Sequence, residues 1–285
     1  MTDTIGLFGL GLIGTALTKR ALAAEYSVKG YDPAPSQMDA FAELGGTPSP
    51  PVDVWAAAVV FAAVFDTDQL ASLIENAPQN ANAVLISTST CDPERMPELA
   101  RLAKEKGVVL IEAPLSGTSK DLADGNAVFL LGGDSAIISE LDWLWRILGR
   151  AHYHVGQVGN GNRAKLAVNL VLGLNRAALA EGLVFAKSLG LKPRDFLPLL
   201  KDTAAYSATM ESKGGKMVER DFAPLGRIAQ SAKDFELITS SAKTSGQALP
   251  FASTYQDMMA LCIETGGGDL DNSAILLAIE MSKTK

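Results

Sequence analysis

Apolar residues fall into two patterns along this chain. The first half alternates short apolar runs with segments of helical spacing, whereas the second half keeps the helical spacing throughout. Thr4 to Phe8 is an apolar run, Gly9-Leu10-Gly11-Leu12-Ile13-Gly14 follows, Thr15 to Ala24 holds helix formers, and Val28 to Asp32 returns to strand. Further buried strands are expected at Val54 to Phe65, Ala83 to Ser87, Val108 to Ile111, Val128 to Gly133 and Ala151 to Val155. Helices such as Pro93 to Lys106 separate them. This alternation predicts an α/β unit with a doubly wound sheet, and ligands on such sheets bind beyond the carboxyl ends of the strands.

Arg163 to Leu189 contains no proline, is rich in Ala and Leu, and stops at Gly190 with Pro193 beyond. At ~1.5 Å per residue this helix is on the order of 40 Å long. It is apolar on several faces, so it is expected to pass between a domain and a partner, either another domain or another subunit. Further helices are expected at Pro193 to Leu200, Ile228 to Thr244, Phe251 to Glu264 and Ser273 to Met281. The chain is thus expected to hold an α/β domain with a doubly wound sheet at 1–158 and an all-α C-terminal domain at 159–285.

Composition narrows the function classes. The 285 residues are 47% hydrophobic and 20% charged, as in ordinary globular protein, and exceed the ~150 residues usual for one domain. The net charge of -7 comes with no basic block, which argues against a nucleic-acid partner. Cys91 and Cys262 lie far apart without metal-ligand spacing, so neither a disulfide framework nor a metal site is indicated. The N-terminus carries Asp3 rather than a basic region, and Gly6 to Gly14 interrupt its apolar run, unlike a signal peptide. Uncharged stretches such as Val54 to Phe65 fall short of the ~20 residues that span a bilayer. A soluble, cytoplasmic protein without membrane association is expected.

The glycines of Gly9-Leu10-Gly11-Leu12-Ile13-Gly14 have distinct tasks. The first permits a tight turn, the second lets backbone approach a pyrophosphate, and the third lets helix pack on strand. The free N–H groups of the following helix then favour negative charge. Asp32 ends the next strand, where a carboxylate accepts hydrogen bonds from ribose hydroxyls and repels a 2′-phosphate. No arginine follows it, so NAD (NADH) is expected over NADP. The other strand ends to search are Val64-Phe65-Asp66, Ser87-Thr88-Ser89-Thr90 and Glu112-Ala113-Pro114-Leu115-Ser116-Gly117-Thr118.

Gly159-Asn160-Gly161-Asn162-Arg163-Ala164-Lys165-Leu166-Ala167-Val168-Asn169 places a lysine and an asparagine one turn apart on an otherwise apolar helix. Residues at i and i+4 share a face, so Lys165 and Asn169 point together, and this pair is the candidate catalytic centre. A solvated lysine at a helix start is the ordinary alternative. His152 and His154, at alternate positions of an edge strand, are read as structural.

With the glycine loop, Ser89-Thr90, Ala113-Pro114-Leu115-Ser116-Gly117, the Lys165/Asn169 helix and Lys233-Asp234 in order, the chain resembles the β-hydroxyacid dehydrogenase family over essentially its whole length. The resemblance implies a Rossmann domain, a helical domain on a long interdomain helix, and an active site in the cleft. It assigns Lys165 as the catalytic lysine and Asn169 as the residue that orients substrate. Ser116 and Gly117, with Thr118 beside them, would hold the substrate carboxylate. Thr90 and Lys233 would lie along the cofactor with Val64, Phe65 and the glycine loop. Homodimers or homotetramers are the expected assemblies. Where the family usually shows Ser-Gly-Gly, this chain has Ser116-Gly117-Thr118-Ser119, and Ser87 replaces the aspartate that commonly precedes the Ser-Thr pair.

These residues permit hydride transfer between NAD(H) and a small 3-hydroxy acid or its semialdehyde, with Lys165 as general acid in reduction and base in oxidation. The basic role requires the ammonium to be destabilised by a desolvated cleft or by positive charge, part of which Lys233 could supply. Backbone N–H groups near Ser116 to Thr118 can bind a carboxylate or sulfonate. Two alternatives remain at this level. One is an imine reductase, in which the lysine position typically carries another residue, and the other is a catalytically silent NAD-binding regulatory protein.

Overall fold

A computed structural model describes residues 4–282; the ends of the two expected domains, 1–3 and 283–285, and with them Asp3, lie outside the described residues. Two compact units divide between Lys165 and Leu166.

Among the described residues the first unit is built on nine strands: β1 (Thr4–Phe8), β2 (Ser27–Tyr31), β3 (Thr47–Pro48), β4 (Val59–Ala62), β5 (Val84–Ser87), β6 (Val109–Glu112), β7 (Leu115–Ser116), β8 (Val128–Gly132) and β9 (Ala151–Gly156). Their order is β3-β2-β1-β4-β5-β6-β8-β7, with β9 paired to β8. From β3 to β6 every pairing is parallel. The chain turns one way from β1 to β2 and the other way to β4, so the crevice of a doubly wound sheet opens at the carboxyl end of β1.

Side chains alternate across this sheet, as the pleat requires. Ile5, Leu7, Val28 and Phe61 join Leu17, Trp145 and Leu148 in one core layer. Phe8, Val60, Ala62 and Leu85 join Trp55, Leu70 and Met96 in the other. Burial on both faces explains why the strands read as unbroken apolar runs rather than alternating ones.

Three details differ from the sequence expectation. Val54 to Phe65 is not one strand: Pro50 and Pro51 start a short helix, Pro51–Trp55, and only Val59–Ala62 enters the sheet. Val54 and Trp55 are nevertheless buried, so hydropathy alone could not separate helix from strand. β8 runs antiparallel to β6 and β7, which the simple βα alternation does not predict. Ser273 to Met281 opens as a 3-10 turn, Asn272–Ala274, capped by Asp271, before the helix Ile275–Met281.

The second unit is helical. The Asn160–Ser188 helix starts before the division and continues beyond it, followed by Pro193–Lys201, Gly215–Glu219, Ile228–Thr244, Pro250–Glu264 and Ile275–Met281. By length and composition the Asn160–Ser188 helix is apolar enough to cross a membrane. Its Leu166, Leu179, Ala180 and Leu183 are buried in the helical core with Phe235, Tyr255 and Met259. A single π turn, Met210–Gly214, which the sequence pattern did not disclose, carries Lys213 inward to Asp271, with Nζ 2.9 Å from both carboxylate oxygens.

Candidate active site

The glycine loop leaves β1 and enters the helix Leu12–Ala23. Gly9 has φ +86°, which favours glycine, and a Cβ on Gly14 would stand 2.0 Å from the Gly9 carbonyl oxygen. A Cβ on Gly11 would meet nothing within 4 Å. Two glycines are therefore demanded by the fold and the middle one faces open space, as needed where a pyrophosphate approaches the backbone. Gly11 is the N-cap of its helix and has no side-chain cap, so the first-turn N–H groups lack that internal acceptor. These features fit a dinucleotide.

Asp32 follows β2. Its Oδ2 accepts from the Leu10 N–H at 2.9 Å and its Oδ1 from the Ala34 N–H at 2.9 Å. The carboxylate thereby fixes the glycine loop, and each oxygen retains a lone pair for a ribose hydroxyl. Leu12 and Phe65 are exposed apolar side chains, one in this loop and one after β4. Val64 is held by its carbonyl, which accepts from Ser89 Oγ at 2.7 Å, and Thr90 is buried beside it in sequence.

The run after β6 passes through β7, where Ser116 is half-buried, to Gly117 and Thr118. Thr118 is the N-cap of the helix Ser119–Ala123 and forms a capping box with Asp121. Its N–H and hydroxyl both lie 2.7 Å from Asp121 Oδ2. The two hydroxyl residues that depart from the family pattern thus build a helix start. The Thr118 N–H, one of the donors expected for a substrate anion, is already engaged.

Lys165 is buried near the start of the Asn160–Ser188 helix. No sequence pattern singles out Glu112 or Asn162 within the strand end and the helix start that contain them. In the structure both are fully buried and bonded to each other, Asn162 Nδ2 donating to Glu112 Oε1 at 2.5 Å. Burial pushes the Glu112 carboxyl above its ordinary value, against the opposing effect of N–H donors from Asn162, Gly159 and Gly161.

In the second unit, Asn169 Nδ2 donates to Asp234 Oδ2 at 2.9 Å and Lys233 Nζ lies 3.0 Å from Asp234 Oδ1. The Lys233–Asp234 pair is not a surface one, since both side chains are largely buried. Asp234 is a further candidate residue that the sequence offered only as a neighbour of Lys233. Among the described residues, no group of three or more His, Cys, Asp and Glu side chains is placed to hold a metal ion.

Comparison with known proteins agrees with this geometry. Residues 4–156 match the family described as the NAD binding domain of 6-phosphogluconate dehydrogenase. Residues 159–279 match the one described as NAD-binding of NADP-dependent 3-hydroxyisobutyrate dehydrogenase. The chain is 29% identical to the 2-hydroxy-3-oxopropionate reductase of Escherichia coli, over 97% of each protein. It is 26% identical to the chloroplastic glyoxylate/succinic semialdehyde reductase 2 of Arabidopsis thaliana, over all of this chain and 81% of that one. The solved 3-hydroxyisobutyrate dehydrogenase of Mycobacterium tuberculosis with L-serine superposes with a TM-score of 0.84 at 26% identity, over 98% of this chain and 99% of that one.

Fold and matches together define an oxidoreductase that binds a pyridine nucleotide. The chain belongs to the β-hydroxyacid dehydrogenase family.

Proposed function

We propose that this protein is an NAD-dependent dehydrogenase or reductase of a small 3-hydroxy acid or its semialdehyde, with Lys165 as general acid and base. The observation that carries this reading is Lys165 itself, a buried lysine one helical turn before Asn169 and anchored near a helix start rather than waving in solvent.

A bound nicotinamide supplies or accepts the hydride. Lys165 delivers a proton to the carbonyl oxygen as negative charge develops there, and removes it in the reverse direction. Asn169 spends one amide hydrogen on Asp234, which leaves its second N–H for the substrate oxygen. Ser116 and the Gly117 N–H are the donors for the acid group, because the Thr118 N–H is engaged by Asp121. Asp32 favours NAD, whereas the family names include NADP-dependent members.

Self-association as a homodimer or homotetramer in the cytoplasm completes the proposal. Phe185, Leu189 and Leu191, exposed around the end of the long helix, support the self-association.

A panel of semialdehydes and 3-hydroxy acids, followed by nicotinamide absorbance, tests the proposal. Turnover of at least one member is expected. NADH binding without consumption on any of them identifies a silent binder, and consumption on cyclic imines alone identifies an imine reductase.

A further inference from the structure

Four N–H groups converge on one buried carboxylate at the end of β6. Glu112 Oε2 accepts from the backbone N–H of Gly159 at 2.5 Å and of Gly161 at 3.3 Å. Glu112 Oε1 accepts from the backbone N–H of Asn162 at 3.2 Å and from its side-chain Nδ2 at 2.5 Å. The Asn162 carboxamide uses its other end, Oδ1, to accept from the Cys91 N–H at 2.7 Å.

These two side chains tie together three pieces of backbone. Cys91 directly follows Thr90, Glu112 opens the run to Ser116 and Gly117, and Asn162 lies three residues before Lys165. A carboxylate at this end of a helix also satisfies orphan first-turn donors and opposes the positive end of the dipole.

The carboxylate has little freedom. A Cβ on Gly132 would stand 2.3 Å from Glu112 Oε2, and one on Gly161 would stand 2.9 Å from Glu112 Cβ. Its place is set to within less than a methyl group.

We propose that Glu112 and Asn162 are a positioning pair, which fixes Lys165 against the Thr90 loop and the Ser116–Gly117 loop without touching substrate. The inference rests on the role proposed above for Lys165. Its polarity is defined: Asn162 must donate to Glu112 and accept from Cys91, so the carboxamide has one usable orientation.

Glu112→Gln removes that consistency. The substituted carboxamide would present its own NH₂ group either to the backbone donors or to Asn162, and a flipped Asn162 would turn its NH₂ group against the Cys91 N–H. Glu112→Gln combined with Asn162→Asp restores the side-chain pairing. The glutamine then accepts from the Gly159 and Gly161 N–H groups and donates to the new aspartate, which still accepts from Cys91, and only the 3.2 Å bond from the backbone N–H of residue 162 is lost.

The experiment compares wild type, E112Q, N162D and E112Q/N162D by kcat, KM, NADH affinity and thermal unfolding. Alongside these, the rate of Lys165 acylation by acetic anhydride is measured by peptide mass spectrometry against exposed Lys104. We expect E112Q to lose at least ~10-fold in kcat with little change in NADH affinity, and the double variant to recover to within ~3-fold of wild type. The Lys165 labelling rate, normalised to Lys104, shifts in E112Q and returns in the double variant.

A purely structural pair would lower the unfolding temperature while leaving kcat within twofold and Lys165 labelling unchanged, and that result overturns the proposal. So does a double variant no better than E112Q. If E112Q does not fold, N162D decides. Its two facing carboxylates share a proton at low pH and repel when both are ionised, so its activity relative to wild type must fall as pH rises through the titration of the pair. A flat ratio contradicts the pairing. Labelling needs neither substrate nor cofactor, so absence of turnover in wild type counts against the proposed function while the pair is still tested.

Discussion

The Asn169 carboxamide donates to Asp234 Oδ2 at 2.9 Å, while the other oxygen of the same carboxylate lies 3.0 Å from Lys233 Nζ. One buried aspartate therefore sets the orientation of the residue assigned to substrate and pairs with the lysine assigned to cofactor. Asp234→Asn keeps the shape but leaves one acceptor for two donors, so Asn169 competes with Lys233 for it and its orientation is no longer fixed. A fall of at least ~10-fold in kcat is expected, with NADH affinity reduced much less. Steady-state kinetics beside a fluorescence titration of NADH check this, and an unchanged kcat would remove Asp234 from the site.

The glycine loop offers a test that separates folding from binding. Gly11 can accept a side chain without meeting protein atoms, whereas a Cβ on Gly14 would stand 2.0 Å from the Gly9 carbonyl. Gly11→Val should unfold within a few degrees of wild type yet lose NADH affinity by at least ~10-fold, because the branch occupies the pyrophosphate approach. Gly14→Ala should lower the unfolding temperature as well. Equal NADH affinity in wild type and Gly11→Val contradicts the proposed cofactor position.

Cofactor choice turns on Asp32. Wild type should use NAD more efficiently than NADP, since a carboxylate repels a 2′-phosphate. Asp32→Ala should narrow that ratio by ~10-fold or more while weakening both cofactors, because the Leu10 and Ala34 N–H groups lose their shared acceptor. Comparison of kcat/KM for the two cofactors is the measurement. Equal efficiency in wild type would remove the basis for NAD preference.

Much of this organisation is written in the sequence because it repeats. The central strands are buried on both sides, so apolar runs located β1, β5, β6 and β8 closely, and the glycine spacing carried the turn after β1. Lys165 and Asn169 stand out as candidates because helical periodicity puts them on one face. What stayed hidden depends on contacts between distant residues. Glu112 meets the Gly159–Asn162 segment some fifty positions later, and Asp234 meets Asn169 across two helices. No local pattern marks such partners. Thr118 illustrates the opposite case: Thr118 and Asp121 are a local capping signature, three positions apart and visible in sequence.

Stability of the helical unit should depend on Lys213 and Asp271. Both are buried, and Asp271 also accepts from the N–H groups of Leu225 and Ser273. Burial works to raise the Asp271 carboxyl, but Lys213 and these donors outweigh it and hold the group below its ordinary value. The stability it contributes is therefore complete above the unfolded carboxylate pKa of ~3.9 and is lost as pH falls through the lower folded value. Asp271→Ala leaves Lys213 without its counter-charge and should cost ~3–5 kcal/mol in urea unfolding near neutral pH. A loss under ~1 kcal/mol would mean that the pair contributes no more than an exposed one.

Lys165→Ala is the most direct test of the central claim, made with the substrate that wild type turns over and with NADH binding measured on the same preparation. Removal of the general acid should lower kcat by ~100-fold or more while NADH still binds. Turnover within tenfold of wild type, with NADH bound, would show that another group moves the proton and that the proposed mechanism is wrong.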